Sequence, residues 1–540
     1  MRWPLTTEPA TRHETHYGDR IITCFGDRPR TMNEMLDAAI AAYPDRESVV
    51  CGTQRLTWTD VDARTRTIAA GLSARGVGQG DRVALLIANR TEFVLALYAA
   101  FRIGAIAVPL STRYQTPEIA YAVNTCGASV LIYEGDLTAR MPKAGDIPAV
   151  RHSIVVGESG EAVPQTHERW EVLAASRGQV HDAHPAEDDT AVILFTSGTT
   201  GHPKGAMLTH LSLINSSLVF QYCLELTNAD RSIAAVPLTH VTGLVANILS
   251  MLSCGGTLII LPAFKASDFI ELAERERITH TIMVPAMYKL CLMTEGFERR
   301  DLSAWRIGGF GGAPMPEPTI HDLAKTLPGL KLVNAYGATE TTSPATVMPA
   351  ALGLKHPASV GLPAPNCSIL VVDDHGVEVP RGTSGEIWIG GPSVVRGYWN
   401  RPEANAESFT AGYWHSGDIG MMDEEGFIYV LDRKKDMISR GGLKIYSAEV
   451  ESVLSDYPGV VEVAIVGRVC PVLGERVHAF VTVKDPVPTT DGLTGFAAAR
   501  LSDYKVPETY TLSSDPLPRN SNGKILKRQL RDQLDPVPLR

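Results

Sequence analysis

Through roughly the first 350 residues, short β-branched apolar runs alternate with helical patterns, which restricts the chain to parallel sheet crossed by helices. "RVALLIA" precedes "TEFVLALYAAFRIG", "AIAVPL" follows, and "ASVLIYE" comes after a further helical stretch. From about residue 359 to 431 the character changes: "CSILVVDDHG", "GEIWIGG" and "GFIYVLDR", separated by Gly and Asp turns, read as antiparallel strands of a small β subdomain. After "DRKKD" at 432–436 come one helical pattern, "YSAEVESVLSDYP", two strand-like runs, "VEVAIVG" and "RVHAFVTVK", and a basic end, "GKILKRQLR". That tail has the size of an α+β domain of about a hundred residues. The expected fold class is α/β: a large N-terminal domain of parallel and mixed sheets with helices and a small β subdomain, then an α+β C-terminal domain.

At 540 residues the chain is too long for one ordinary core. A net charge of −10 excludes nucleic acid as a partner class, since a phosphate backbone is held chiefly by lysine and arginine. Eight cysteines scattered without CxxC spacing read as reduced core thiols of a cytoplasmic protein. The first twenty residues lack the apolar core of a signal peptide. The most apolar stretch, 243–262, is broken by Gly255-Gly256 and reads as a buried helix, a turn and a strand, so no membrane span is expected.

One loop stands out chemically. "TSGTTGHPKG", residues 196–205, gathers Thr196, Ser197, Gly198, Thr199, Thr200 and Gly201 before Lys204, a composition that lets backbone N–H groups and hydroxyls converge on phosphate oxygens. It follows "TAVILF" and precedes the helical "THLSLINSSLVF", with Leu211, Ile214 and Leu218 on one side. The expected geometry is therefore strand, glycine loop, helix. It is not a Walker A site, because Pro203 precedes Lys204 and Gly205 follows it. Gly523-Lys524 fails the same test, with Pro518 in the first glycine slot and Ile525 in place of the hydroxyl. "GGFGGAP" at 308–314 fails the dinucleotide fingerprint at Pro314.

Five further segments follow in order: "NAYGATE" (334–340), "HSGD" (415–418), "DRKKD" (432–436), "SRGGLKIYSAEVE" (439–451) and "PRNSNGKILKR" (518–528). With the glycine loop, and with "LTWTDVDARTRTIAAGL" and "VPLSTRY" upstream, this combination resembles the adenylate-forming superfamily of acyl-CoA synthetases, peptide-synthetase adenylation domains and luciferases. The resemblance covers nearly the whole chain. It implies a carboxylic acid, ATP, Mg²⁺ and CoA as reaction partners, an N-terminal AMP-binding domain over 1–431, a hinge at 432–436 and a mobile C-terminal domain over 437–540.

It also implies residue roles. The 196–205 loop closes on the β- and γ-phosphates; Gly312, Ala313, Asn334, Tyr336 and Gly337 line the adenine; Thr339 touches the α-phosphate; and Glu340, with Thr196, holds Mg²⁺. Asp418 accepts the ribose hydroxyls with help from Arg433, Lys524 bridges the carboxylate and α-phosphate, and Lys435 is the hinge pivot. Gly441-Gly442 lines the pantetheine path, and His240 in "PLTHVTG" occupies the gate position and borders the acyl pocket. On the residues alone, Asp418 also reads as a turn residue, Arg433 as a surface ion pair, the Gly pair as an ordinary turn and His240 as a core histidine.

Departures from the family's commonest pattern are Ser416 for threonine, Leu443-Lys444, and Cys470 where an aspartate often stands. The alternatives to a CoA ligase are a ligase that loads a carrier protein and a catalytically dead nucleotide or acyl sensor. The sensor is disfavoured by the presence of Glu340, Asp418, Arg433 and Lys524 together. Fatty, arylalkanoic and substituted benzoic acids stay open as substrates, and a homodimer, common in the family, stays open as the assembly.

Overall fold

The computed structural model describes residues 3, 9–180, 183–196, 203–313, 315–519 and 524–535. The chain divides into two compact units, one of Met1–Ile369, Ile389–His415 and Glu425–Ile428, the other of Leu370–Trp388, Ser416–Glu424 and Tyr429–Arg540.

Among the described residues, the first unit holds a seven-stranded sheet in the order Lys204–Thr209, Thr190–Thr196, Ile106–Pro109, Arg82–Leu86, Val130–Glu134, His152–Val156, Glu168–Arg169. Its pairs are parallel except the first. A nine-stranded sheet runs Leu362–Pro363, Thr346–Val347, Lys331–Tyr336, Ile307–Phe310, His280–Met283, Arg231–Ala234, Thr257–Ile260, Glu47–Cys51, Gln54–Thr57, parallel in its middle and antiparallel at its edges. Parallel strands covered on both faces need continuous apolar runs, and Val83 to Leu86 are all fully buried. The helix Thr91–Arg102 is apolar nearly all round and buried in the same core. Its last residue, Arg102, remains ionised there through Asp37 at 3.1 Å and Asp62 at 2.5 Å.

One expected geometry is corrected. The segment after the glycine loop is not a helix but the strand Lys204–Thr209, antiparallel to Thr190–Thr196. The helix His210–Cys223 starts only beyond it, where the Thr209 side chain accepts from Ser212 N. Ala206 and Leu208 alternate inward and are fully buried, so an edge strand satisfies both their side chains and the backbone. The helix is buried on every side, including Asn215, Ser216 and Ser217, rather than along one apolar stripe.

The segment expected as a small β subdomain forms a five-stranded sheet of Ser368–Val372, Gly385–Gly390, Tyr413–Met422, Phe409–Thr410 and Ile428–Arg433. In the second unit, Leu443–Ile445, Ile438–Arg440, Gly474–Val483, Val460–Cys470 and Thr509–Ser513 form another. The helix Ser447–Ser455 covers it through Val450 and Leu454. Two elements there went unread: the strand Thr509–Ser513 and the helix Thr490–Ala498, whose start lies in "DPVPTTDG". That helix carries Gly492 and Gly495 and buries only Leu493 and Ala497, so its period is faint, although Thr489 caps it by accepting from Gly492 N.

Two buried histidines of the first unit make stability pH-dependent. His210 Nδ1 accepts from Met32 N at 3.0 Å, which requires the neutral ring, and burial pushes its pKa down to about 4. Burial likewise pushes fully buried His280 down to about 4. Both folded values lie below the unfolded one near 6.5, so the unfolded chain binds these protons first and stability falls as pH drops from about 6.5 towards 4. The expected slope is about 1.4 kcal/mol per pH unit for each ring. Urea unfolding from pH 7 to 4.5 checks this, with His210→Asn expected to lower the slope by about 1.4 kcal/mol per pH unit, one ring's share beside His280 and the similarly depressed His478; an unchanged slope would refute the assignment.

Candidate active site

The glycine loop is held at its two ends. Thr196 and Lys204 are paired directly across the antiparallel hairpin, and Thr196 Oγ1 donates to Lys204 O at 3.4 Å. Ser197, Gly198, Thr199, Thr200 and Gly201 lie outside the described residues. A third segment seals the hairpin: Trp399 N donates to Gly205 O at 2.7 Å, Met207 N donates to Gly397 O at 2.9 Å, and Ala206 bridges Tyr398. Gly205 admits no side chain, since a Cβ would meet Ile193 Cγ2 at 2.8 Å. Lys204 Nζ then lies over the Tyr398 ring, 5.0 Å from its centroid.

The same segment reaches Glu340. Val395 N donates to Glu340 O at 2.9 Å, and the Tyr398 hydroxyl donates to Glu340 Oε1 at 2.9 Å. Glu340 sits in the one-turn helix Thr339–Thr341 just beyond the strand Lys331–Tyr336. The next two residues, Thr342 at φ 49° and Ser343 at φ 42°, are left-handed; in a β-branched residue that is strain of the kind found at ligand-binding turns. The structure thus sets Lys204 and Glu340 against Tyr398, a residue no motif pointed to, with Thr196 beside Lys204 in the hairpin and Thr339 next to Glu340 in its one-turn helix.

Asn334, Tyr336 and Gly337 lie at the carboxyl end of Lys331–Tyr336, and Gly312 and Ala313 just past the end of its parallel neighbour Ile307–Phe310. Open parallel sheets bind ligands outside these ends. Gly311 packs so near that strand that a Cβ would fall 2.4 Å from Ala335 O, while Gly312 turns the chain at φ +76°. Asn334 Nδ2 donates to Ser359 O at 3.3 Å. His240 is exposed, with Nδ1 3.3 Å from Thr242 Oγ1, and precedes the π-helix Thr242–Leu249. Asn89, also unread in the sequence, clamps this loop: its amide donates to Val236 O and Leu261 O and accepts from Leu238 N.

In the second unit Asp418 lies within a strand, not a turn. Arg433 Nε donates to Asp418 Oδ1 at 2.8 Å; the carboxylate is 6% exposed and the guanidinium 43%. Ser416 holds the approach, its hydroxyl donating to Ile387 O and accepting from Asp418 N, so the departure from threonine keeps the hydroxyl's work. Gly441 and Gly442 are the two central residues of the hairpin joining Ile438–Arg440 to Leu443–Ile445, at φ +59° and +85°, a turn that by itself demands glycine. Cys470 accepts from Arg476 Nε at 3.3 Å. Lys435 is exposed, and its carbonyl accepts from Arg531 at 3.4 Å.

Lys524 is exposed beside the Arg519–Ile525 bridge, and Leu526 N donates to Pro518 O at 2.8 Å. Three residues on, Lys527 Nζ donates to Ser447 Oγ and pairs with Glu451, both at 2.6 Å. Asp432 accepts from Ser447 N and, at 3.0 Å, from Ser447 Oγ. Burial pushes the Asp432 and Glu451 carboxyls above the usual range, against the pull of Lys527. All four residues lie inside or beside quoted motifs, yet only the fold reveals that they meet.

Glu14, His16 and Cys24 also converge, but Glu14 already accepts from Arg12, Arg28 and Arg30, whose charge opposes a cation.

Set against known proteins, residues 36–399 match the AMP-binding enzyme family and residues 449–524 match the AMP-binding enzyme C-terminal domain. The chain belongs to the AMP-binding enzymes. Within this adenylate-forming superfamily it is an acyl-CoA synthetase, an AMP-forming acid–thiol ligase using ATP, Mg²⁺ and CoA. A long-chain-fatty-acid–CoA ligase of Escherichia coli O6:H1 is 32% identical over 94% of this chain and 95% of its own. A feruloyl-CoA synthase of Amycolatopsis sp is 36% identical over 90% and 96%. The o-succinylbenzoate CoA synthetase of Bacillus subtilis, solved with its acyl-adenylate, superposes at a TM-score of 0.83 with 30% identity, covering 94% of this chain and 99% of the other; it has also been solved with ATP and a magnesium ion. Among the described residues, no helix of this AMP-binding enzyme is long and apolar enough to cross a membrane.

Proposed function

We propose that this enzyme joins a fatty or aryl carboxylic acid to free CoA, and that its nucleotide is handled by the residues grouped around Tyr398. The observation that carries the reading is a carboxylate, Glu340, and an ammonium, Lys204, set against one aromatic side chain, the first at its hydroxyl and the second over its ring. A hard cation of the Mg²⁺ type takes few protein carboxylates plus phosphate oxygens, and Glu340 suits it, with Thr196, paired with Lys204 across the hairpin, as the hydroxyl we assign beside it. Mg²⁺, when bound, neutralises charge on the phosphates.

A carboxylate is a poor electrophile, because its charge repels nucleophiles and oxide leaves badly. Attack of its oxygen on the α-phosphorus forms the acyl-adenylate and releases pyrophosphate; the CoA thiolate then attacks the acyl carbon and AMP departs. The protein supplies positioning and charge rather than a side-chain nucleophile. Lys204 and the loop hold the β- and γ-phosphates, Thr339 the α-phosphate, and Gly312, Ala313, Asn334, Tyr336 and Gly337 the adenine. Asp418 and Arg433 take the ribose hydroxyls, and Lys524 stabilises charge where carboxylate and α-phosphate meet. His240 gates the acyl pocket, Gly441-Gly442 borders the pantetheine path, and Lys435 is the pivot of a hinge at 432–436 between functional domains 1–431 and 437–540. Support for a cytoplasmic setting comes from eight cysteines that are all free thiols.

The test is a panel of fatty, arylalkanoic and benzoic acids with ATP and Mg²⁺, following pyrophosphate with and without CoA. Thioester and AMP appearing together for one acid class are the expected outcome. Pyrophosphate without thioester would move the acceptor to a carrier protein, and inactivity across the panel would overturn the reading.

A further inference from the structure

The Tyr398 hydroxyl has a use that its place in the fold alone does not require. Its hydroxyl donates to Glu340 Oε1 at 2.9 Å, and the residue is held at its backbone and at its ring. Asn405 Oδ1 accepts from Tyr398 N at 2.7 Å and Asn405 Nδ2 donates to Tyr398 O at 3.2 Å. Phe409 packs edge-on against the ring at 5.7 Å, Lys204 Nζ lies over it at 5.0 Å, and the residue is 4% exposed. Glu340 is fixed in turn by its own carbonyl, which accepts from Val395 N three residues before the tyrosine. The phenol is therefore a rigid donor aimed at one chosen oxygen of the carboxylate.

Carboxylates meet divalent cations in two ways. Ca²⁺ takes six to eight oxygens and readily accepts both from one carboxylate; Mg²⁺ demands near-ideal octahedral geometry, which the narrow bite of a two-oxygen carboxylate distorts. Two-oxygen capture by Glu340 would require Oε1 to give up or share the phenol's proton. We infer that Tyr398 is a positioning residue that confines Glu340 to one-oxygen coordination and thereby selects Mg²⁺ over Ca²⁺ beside the nucleotide phosphates. The inference rests on Glu340 being the metal carboxylate.

The experiment uses full-length wild type, Tyr398→Phe and Glu340→Gln, and measures ATP affinity by calorimetry in Mg²⁺ and in Ca²⁺, with pyrophosphate release as a second readout. In wild type ATP is expected to bind more tightly with Mg²⁺ than with Ca²⁺. Tyr398→Phe keeps the ring and removes the donor, and the Mg²⁺/Ca²⁺ affinity ratio is expected to fall about tenfold, the scale of one hydrogen bond to a charged group. Asn405→Ala, which loosens the backbone of Tyr398 without touching Glu340, is expected to shift the ratio the same way by less, and it serves if Tyr398→Phe does not fold. Equal weakening with both ions, or no change in the ratio, would overturn the selection role while Glu340→Gln still abolishes the metal dependence. If Glu340→Gln leaves that dependence intact, the metal carboxylate itself is misassigned and the inference fails with it.

Discussion

Lys524→Ala is expected to slow pyrophosphate formation about 10²–10³-fold while leaving the fold intact. The side chain is exposed, and the local pairings that shape its segment, the Arg519–Ile525 bridge and Leu526 N to Pro518 O, are backbone bonds that alanine keeps. A charge that matters where negative charge concentrates in the transition state lowers kcat and leaves KM for ATP nearly unchanged. Thioester formation from a supplied acyl-adenylate needs no such charge and is expected to proceed at close to the wild-type rate. The two half-reactions measured separately make the check. A rise in KM for ATP with kcat preserved would show that Lys524 only binds the ground state, and the role proposed for it would be withdrawn.

Asp418→Ala is expected to weaken ATP binding about 100-fold, the order of 3 kcal/mol carried by two charge-assisted hydrogen bonds to ribose hydroxyls. The carboxylate is 6% exposed and orientated by Arg433 at 2.8 Å, so little of its strength is lost to water before the nucleotide arrives. Removing it leaves Arg433, at 43% exposure, free to be solvated, so the cost falls on binding more than on folding. Arg433→Ala has the opposite balance: it strands a buried carboxylate and is expected to lower thermal stability together with a smaller loss of affinity. Calorimetry with ATP and thermal melts on both variants separate these effects. Wild-type ATP affinity in Asp418→Ala would remove the ribose assignment.

Much of the fold was legible because its signals are local. "TAVILF" and "RVALLIA" are strands that no other period explains, and the change of character near residue 359 marks a real change of sheet. The strand Lys204–Thr209 was illegible because "KGAMLT" has little β propensity of its own; its pairing with Thr190–Thr196 and the seal made by Gly397 to Trp399 decide it. Glu340, Asp418 and Lys524 were visible as motif residues, whereas Tyr398 and Asn89 were not, since each acts through a partner 58 or 149 positions distant. The Gly441-Gly442 pair shows the reverse limit. Its positive φ angles account for both glycines, so its place in the thiol path rests on the family resemblance and not on the turn.

The knot of Asp432, Ser447, Glu451 and Lys527 bears on how this enzyme is handled at the bench. Shortening the chain before residue 527 would strip the Lys527 ammonium from two sequestered acids, leaving like charges facing each other in the body that carries Asp418. Loss of activity in such a truncation would then report a collapsed scaffold instead of a missing Lys524. A fusion close behind the helix Lys527–Arg531 bears on the same knot, since Lys527 opens that helix.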